Sequence, residues 1–124
     1  MLETAFKAAR ASGDIIKRHY ANNYRIKKKG NFDIVTEVDY KSEIKAIETI
    51  IQEYPDHSFL CEESGFSGNV YSKYKWLIDP LDGTINFSRC LPFFSVSIGL
   101  LKNNKPLLSV VYNPITEDFY YAEK

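Results

Sequence analysis

The stretch Trp76-Leu-Ile-Asp79-Pro80-Leu81-Asp82-Gly83-Thr84-Ile-Asn86-Phe87 joins a short apolar run to a turn that carries two carboxylates. The apolar run at 76–78 predicts a short strand, and the pairs Asp79-Pro80 and Asp82-Gly83 are typical of turns. Loops at strand ends often carry chemistry on a rigid scaffold. The stretch therefore predicts a strand that ends at a candidate functional turn.

Before this stretch, apolar residues recur at helical spacing in two segments. The first predicted helix covers residues 2–21. The second covers about residues 39–54 and ends at Pro55, with a predicted buried stripe of Ile44, Ile47, Ile50 and Ile51. Residues 27–31 predict a loop broken by Gly30, and residues 33–36 predict a short extended piece.

Short strands are predicted around and after the central stretch. They lie at residues 58–61, 76–78, 94–100, 107–112 and 119–122, with a polar loop at 65–72. Two helices followed by such a run of strands indicate an α+β fold, in which the N-terminal helices pack on an antiparallel β-meander. The 124 residues fit one domain.

Composition narrows the class of protein. Apolar residues make up 44% of the chain, and sixteen basic residues balance sixteen acidic ones, so net charge gives no case for nucleic-acid or membrane binding. No apolar stretch approaches the ~20 residues of a membrane helix, and residues 1–10 lack the apolar core of a signal peptide. Cys61 and Cys90 are too few for a disulfide framework and favour a reducing compartment. We therefore expect a cytoplasmic protein.

Acidic side chains follow the predicted strands. Glu62-Glu63, Asp79 and Asp82 come after strands, and Asp39 opens the second helix. If they converge, two like charges ~4 Å apart repel by roughly 4 kcal/mol at an effective dielectric near 20. Such a cluster must take up protons or bind cations, and hard oxygen ligands select Mg²⁺, Mn²⁺ or Ca²⁺.

Each acidic residue also has a simpler interpretation. Thr36-x-x-Asp39 fits a capping box, the two aspartates of the turn are ordinary turn formers, and Glu62-Glu63 fits a solvated strand end. Thr84 fits a helix cap. Spacing alone leaves these alternatives open.

The combined pattern resembles the inositol monophosphatase family. Residues 76–87 resemble its signature W-x-I-D-P-x-D-G-T-x-N-F, residues 33–39 resemble D-x-V-T-x-x-D, and residues 61–65 resemble G-E-E-S with Cys61 in place of the glycine. The motifs stand in family order, and the resemblance covers the whole chain. It implies the first half of a layered αβαβα sugar-phosphatase fold.

The resemblance also implies roles for named residues. Glu62, Asp79, Asp82 and the Leu81 carbonyl would bind Mg²⁺, with Asp79 bridging two ions. Gly83 and Thr84 would open a helix whose free N–H groups bind phosphate.

Further implied roles concern the water and the residues around the metals. Thr84, its hydroxyl held by Asp39, would orient the attacking water, and Glu62 joins them in the predicted catalytic set. Lys28, with Lys29 as the adjacent alternative, would lie near the metals, and Glu63 would support the site.

The implied reaction is hydrolysis of a phosphate monoester by a metal-activated water. The resemblance favours inositol monophosphate as the substrate, within the wider class of sugar and polyol phosphates. Nucleotide 3′-phosphatase, fructose bisphosphatase and histidinol phosphatase are alternatives within the enzyme class. The alternative that is not an enzyme is a non-catalytic binding protein associated with transcription complexes. Such a protein would act without direct contact to nucleic acid.

The family pattern continues beyond what this sequence contains. We expect residues 1–124 to be the N-terminal half, with the C-terminal α/β half and its W-D-x-A-A-G motif absent. We therefore expect weak or no activity from the chain alone, and a homodimer in the full-length form.

Overall fold

The computed structural model describes residues 1–20, 22, 26–29 and 33–124, and side chains at 1–20, 22 and 36–124. The elements in chain order are α1 Leu2–His19, β1 Ile26–Lys29, β2 Asp33–Thr36, α2 Glu37–Ile51, β3 Ser58–Cys61, β4 Gly65–Gly68, β5 Tyr74–Asp82, α3 Thr84–Ser88, β6 Ser95–Lys102, β7 Lys105–Asn113 and β8 Asp118–Glu123. The two long helices precede the main sheet, which confirms the predicted α+β class. No helix among the residues with described structure is long and apolar enough to cross a membrane.

The main sheet has six strands in the order β4-β3-β5-β6-β7-β8. β5 to β8 form the predicted antiparallel meander. β3, however, pairs with β5 in parallel, from Ser58 beside Lys75 to Cys61 beside Ile78. The sheet is therefore mixed. Between β3 and β5 the chain forms β4, which pairs antiparallel with β3 on the outer edge of the sheet.

Two predicted loops contain strands. Residues 26–29 form β1, which pairs antiparallel with β2, although residues 27–31 were predicted as a loop. Gly65–Gly68 forms β4, an edge strand beside β3 that lies within the predicted loop at 65–72. Edge strands tolerate polar residues and glycine because one of their sides has no neighbouring strand, and this composition hides them from sequence patterns.

The buried face of α2 differs from the predicted isoleucine stripe. Ile50 is buried, but Ile44 is 55% exposed and Ile51 is 43% exposed. The face that packs inward carries Ser42, Ala46 and other residues, several of them small. The reason is close helix packing: α1 presents alanines and serine on its own buried face, and small side chains allow two helices to approach closely.

α1 and α2 cover one face of the sheet. That face is built from alternate residues of the central strands, all of them buried: Trp76, Ile78, Val96, Ile98, Leu100, Leu108, Val110 and Tyr112. Tyr112 stacks on Phe119 at 4.1 Å between ring centroids. The core therefore lies between the helices and this face, and it fixes β3 and β5, whose ends carry the acidic turns.

Candidate metal and phosphate site

The turn at the end of β5 is held by its own hydrogen bonds. The pairing with β6 shifts register between Asp79, which lies opposite Ser97, and Asp82, which lies opposite Ser95. The Asp79 carboxylate accepts a hydrogen bond from Leu81 N at 3.1 Å. Such a bulge re-aims side chains at the end of a strand. The bulge therefore sets the direction of both aspartates while the Leu81 side chain anchors the turn in the core.

Glu62 lies next to this turn because β3 and β5 run in parallel. Glu62 N donates to the Ile78 carbonyl at 3.0 Å, one residue before Asp79. The pKa of Asp79 is raised to about 7, first by burial, then by the charge of Glu62 and a hydrogen bond with it, and then by the charge of Asp82. The structure thus brings Glu62 and Asp82 close enough to act electrostatically on Asp79, while their role as metal ligands stays a prediction.

The donor set fits a hard divalent cation in its chemistry. It consists of carboxylates and the Leu81 carbonyl, with no histidine or thiolate among them. Over the described residues, no three acidic, histidine or cysteine side chains are arranged around a common ion position. Asp79 and Glu62 are joined by a hydrogen bond instead, which is how two adjacent carboxyl groups share a proton.

Asp39 lies at the start of α2 and forms the predicted capping box. Thr36 Oγ1 accepts a hydrogen bond from Asp39 N at 3.4 Å, and Thr36 N donates to the Asp39 carboxylate at 3.2 Å. Asp39 is 1% exposed. Burial raises its pKa to about 7, and the charges of Glu63 and Glu62 contribute in the same direction. Asp39 therefore lies close enough to Glu62 and Glu63 to be affected by their charges, and it also caps α2.

The predicted pairing of Thr84 with Asp39 is not the one that the structure has. The Thr84 hydroxyl donates to the Leu81 carbonyl at 3.0 Å, and the Asp39 carboxylate receives its hydrogen bonds from Thr36. The reason is local, since Thr84 follows Leu81 by only three residues and the start of α3 brings its hydroxyl within hydrogen-bond distance of the Leu81 carbonyl. Leu81 O, a predicted metal donor, thus has a hydroxyl partner.

Gly83 stands at the N-cap of α3 and occupies the left-handed region at φ 96°. A Cβ atom there would lie 2.8 Å from the Phe93 carbonyl oxygen, closer than atoms in real structures approach. Both facts require glycine at this position. The requirement for glycine here follows from the left-handed backbone and from the close approach of the 93–94 backbone. The phosphate-binding role of Gly83 and Thr84 stays a prediction.

Sequence reasoning missed Glu43. This side chain is 1% exposed and accepts hydrogen bonds from Glu63 N at 2.9 Å and Ser64 N at 3.0 Å. It fixes the turn that carries Glu62 and Glu63. The available signal was its spacing of four residues after Asp39, which places both carboxylates on one side of α2, but glutamate in an amphipathic helix is normally solvated.

The remaining predicted residues have different outcomes. Glu63 is half-buried beside the acidic group, and its charge acts on Asp39. The side chain of Lys28 lies outside the described residues.

Next to the turn lies a cavity of about 360 Å³, lined by Asp82, Gly83, Asn86, Phe93, Phe94, Ser95, Val111, Asn113 and Tyr120.

The sequence matches the model of the inositol monophosphatase family over residues 1–124. Among curated proteins, the chain is 44% identical over 124 residues to a protein of Haemophilus influenzae named Nus factor SuhB, covering 98% of this chain and 46% of that protein. It is 40% identical to the fructose-1,6-bisphosphatase/inositol-1-monophosphatase of Aquifex aeolicus, covering 99% and 47% of the two chains. The chain thus spans about half the length of the curated relatives it matches.

Solved structures agree with the sequence match. The extragenic suppressor protein suhB of Bartonella henselae superimposes with a TM-score of 0.95 at 34% identity, covering 99% of this chain and 48% of that one. The IMPase of Thermotoga maritima superimposes with a TM-score of 0.91 at 35% identity and the same coverage. The similarity therefore extends over nearly all of this chain and under half of each neighbour.

Proposed function

Because the chain belongs to the inositol monophosphatase family, we propose that it serves in the Mg²⁺-dependent hydrolysis of a phosphate monoester, with inositol monophosphate as the first substrate. The observation that carries this proposal is the electrostatic coupling at the end of β5. Burial, Glu62 and Asp82 together keep the pKa of Asp79 near 7. Such a strong perturbation in a group of carboxylates is typical of a functional site.

The proposed cation would be held by Glu62, Asp79, Asp82 and the Leu81 carbonyl. Bound Mg²⁺ would neutralise these carboxylates, polarise the phosphate ester and lower the pKa of an attached water. Asp79 would release to solvent the proton that its raised pKa retains. Glu43 would keep the turn after β3 in place through its two backbone hydrogen bonds.

Substrate binding would use the backbone after the acidic turn. The N–H groups at Gly83 and Thr84 would bind the phosphate group, since free amides at a helix start favour an anion. The Thr84 hydroxyl would orient water once it turns from the Leu81 carbonyl toward Asp39, to which it would donate its proton in a hydrogen bond. Glu63 would support this group, and Lys28 is proposed to lie nearby.

The half-length of the chain bears directly on activity. The chain spans 46% of the Haemophilus influenzae relative. We propose that it is the N-terminal half of the family's unit, that the other half completes the substrate site, and that the 124-residue chain alone is weakly active or inactive. A reducing, cytoplasmic setting and a homodimer in the full-length form belong to the same proposal, and Cys61 and Cys90 are free thiols.

The test is phosphate release from inositol monophosphate, with and without Mg²⁺, by the chain at high concentration and by the chain mixed with the complementary half of a relative. We expect release that requires Mg²⁺ and is abolished in Asp79→Asn, while Asp14→Asn, a matched change on the exposed side of α1, leaves it intact. Undiminished release by Asp79→Asn, or no release by either preparation, would refute the proposal.

The substrate class needs a panel, because the Aquifex aeolicus relative carries the names of two phosphatases. Release rates from inositol monophosphate, fructose bisphosphate, histidinol phosphate and a nucleoside 3′-phosphate would rank the alternatives. We expect inositol monophosphate to rank first because residues 76–87 match every fixed position of the family signature.

The second candidate function is a role in transcription complexes through protein contacts. The observation that favours it is the name Nus factor SuhB, carried by the Haemophilus influenzae and Pasteurella multocida relatives. Balanced charge argues against direct RNA binding. If Asp79→Asn, without phosphatase activity, still retained purified RNA polymerase on a column as well as the wild type does, this second function would be supported.

A further inference from the structure

Two buried side chains outside the acidic turn join the starts of β3 and β5. Trp76, the single tryptophan of the chain, is fully buried on β5. Its indole N–H donates a hydrogen bond at 3.0 Å to Nδ1 of His57, which precedes β3 and is 8% exposed. The parallel pairing places Phe59 beside Trp76, so this hydrogen bond lies toward the N-terminal end of the strand pair. We call the bonded pair of His57 and Trp76 the clasp.

Two tyrosines hold the ring of His57 in place. Tyr54, which follows α2, stacks on it with 4.8 Å between ring centroids and an angle of 10° between the planes. Tyr74 on β5 stacks on it at 4.7 Å and 22°. Stacking fixes the plane of the imidazole, and the hydrogen bond from Trp76 fixes which of its edges faces the indole. The clasp therefore has one defined geometry.

This geometry determines which nitrogen of His57 carries the proton. An indole nitrogen only donates, so Nδ1 accepts and the neutral ring carries its proton on Nε2. An imidazolium carries a proton on both nitrogens, so protonation would place an N–H of His57 against the N–H of Trp76. The buried indole would then lose its acceptor, which is unfavourable. The clasp therefore holds only while His57 is neutral.

The charges around the ring act in both directions. Burial disfavours the charged ring and lowers the pKa of His57, while the charge of Asp56 raises it to a lesser extent. The faces of Tyr54 and Tyr74, the titratable side chains stacked on the ring, attract a cation. Lys102 on β6, however, already lies over the Tyr74 ring, with its Nζ 5.6 Å from the centroid. The surroundings therefore favour the neutral ring, in agreement with its role as an acceptor.

We propose that the clasp is an acid-sensitive device, in which protonation of His57 releases Trp76 and loosens the pairing of β3 with β5. Histidine is suited to this because it changes charge in the range between about pH 5 and pH 8. The same strand pair ends at Glu62 and Asp79, so its loosening would be felt at the acidic turn. The device needs neither metal nor substrate, and it therefore does not depend on the proposed reaction.

The first test is the fluorescence of the whole chain, because Trp76 is its only tryptophan and it has only two histidines. A charged imidazole in contact with an indole quenches its emission. We expect the emission of the folded wild type to fall on acidification, with a midpoint below the ordinary histidine value of 6.5. His57→Asn, which offers an oxygen acceptor that takes up no proton, should lack this step, and the matched control His19→Gln should keep it.

Hydrogen exchange would measure the loosening itself. Corrected for the intrinsic rates, protection of the amides of residues 58–61 in β3 should fall on acidification in the wild type, and more than that of residues 96–100 in β6. In His57→Asn the two segments should keep the same ratio of protection throughout. An equal change of both segments in the wild type would overturn the proposed loosening of β3 from β5.

A third measurement separates the clasp from a role in packing alone. His57→Phe keeps an aromatic ring but has no acceptor, and groups common to both proteins cancel in the difference between its free energy of unfolding and that of the wild type. Because burial lowers the folded pKa of His57, the folded state binds fewer protons than the unfolded state just below pH 6.5, and the histidine contributes less stability as pH falls. The difference should therefore shrink between about pH 8 and pH 5, whereas packing alone would keep it constant.

The wild type supplies a check that needs no variant at position 57. The His57 ring can be titrated by NMR, with His19→Gln identifying its signal, and its midpoint should also lie below 6.5. A midpoint at or above this value, a fluorescence step that persists in His57→Asn, or a constant free-energy difference would each overturn the proposal.

Discussion

Asp79, at the acidic turn, has a pKa of about 7. Burial raises its pKa, and Glu62 and Asp82 raise it further. At neutral pH without metal, Asp79 is therefore partly protonated and shares a hydrogen bond with Glu62. A divalent cation and a proton compete for the same oxygens, so metal affinity and protonation of this group are linked.

This linkage gives a pH dependence with a defined sign. The folded state holds Asp39 and Asp79 at pKa values of about 7, whereas an unfolded aspartate titrates near pH 4. Between about pH 4 and pH 7 the folded state therefore binds more protons, and the free energy of unfolding falls as pH rises. Mg²⁺ should reverse this fall, with an effect that grows toward pH 8.

Urea denaturation at several pH values, with Mg²⁺ or EDTA, would measure these free energies. Asp79→Asn removes one of the two titrating groups, so its metal-free pH slope should be shallower than that of the wild type. Identical slopes in the two proteins would contradict the raised pKa of Asp79.

Gly83 supplies a prediction about the turn itself. Gly83→Ala places a Cβ atom 2.8 Å from the Phe93 carbonyl oxygen at φ 96°. We expect a loss of about 2 kcal/mol or more in the free energy of unfolding, since a residue other than glycine in such a region costs about 1–3 kcal/mol before any clash. Denaturant titration would measure this loss.

Gly65→Ala is the matched control. Gly65 also has a positive φ, of 75°, but a Cβ atom there has nothing within 4 Å. Gly65→Ala should therefore lower the free energy of unfolding only through the unfavourable positive φ, without a steric contact. Equal losses in the two variants would show that the contact with Phe93 has no effect on stability.

Sequence patterns named the acidic residues at the strand ends but not the hydrogen-bond partners around them. The parallel register of β3 and β5 places Glu62 beside Asp79, and the role of Glu62, Asp79 and Asp82 in metal binding stays a prediction. Glu43 was not predictable from its residue type, because its role depends on the turn after β3 reaching the buried side of α2. The acceptor of the Thr84 hydroxyl likewise depends on the exact path of the bulge.

At the scale of elements, close packing of α1 against the sheet depends on Gly13. A Cβ atom there would lie 2.5 Å from the Tyr112 ring. Tyr112 cannot move away easily, because it is 1% exposed and stacks on Phe119. Gly13→Ala should therefore lower the free energy of unfolding by about 1–3 kcal/mol, although alanine is the better helix former.

Thermal or denaturant unfolding of Gly13→Ala would test this contact. The double variant Gly13→Ala with Tyr112→Leu should regain part of the loss, since the smaller side chain leaves room for the new methyl group. A single Gly13→Ala variant as stable as the wild type would contradict the close approach of α1 to β7.

Helices and strands were predicted correctly where burial on one face leaves an apolar pattern in the sequence, and less well elsewhere. Strands with apolar alternation, such as β6 and β7, were found because one face is buried and their pattern shows it. The predicted buried stripe on α2 was wrong because hydrophobicity alone does not reveal which side of a helix packs against another element. Ile44 is exposed, while Ser42 and Ala46 are buried. β4 was missed because an edge strand needs no apolar pattern.

At the scale of the molecule, the chain is one layer of helices on one face of a mixed sheet. The opposite face is apolar and carries Asp79 at one end. Among the residues that the structure describes, the acidic group is gathered but not arranged around one ion position, and the chain covers about half of its relatives. We expect a bound cation to draw these carboxylates around one position.

The most direct test of the account is titration of Mg²⁺ into the chain by calorimetry at pH 8, where protons compete least. We expect saturable binding by the wild type and by Asp14→Asn. In Asp79→Asn and Asp82→Asn the affinity should fall at least about tenfold, because even residues that only support a metal ligand change affinity by about 10- to 100-fold when mutated. Equal affinity in Asp79→Asn, or no saturable binding by the wild type, would contradict a metal site built on these carboxylates.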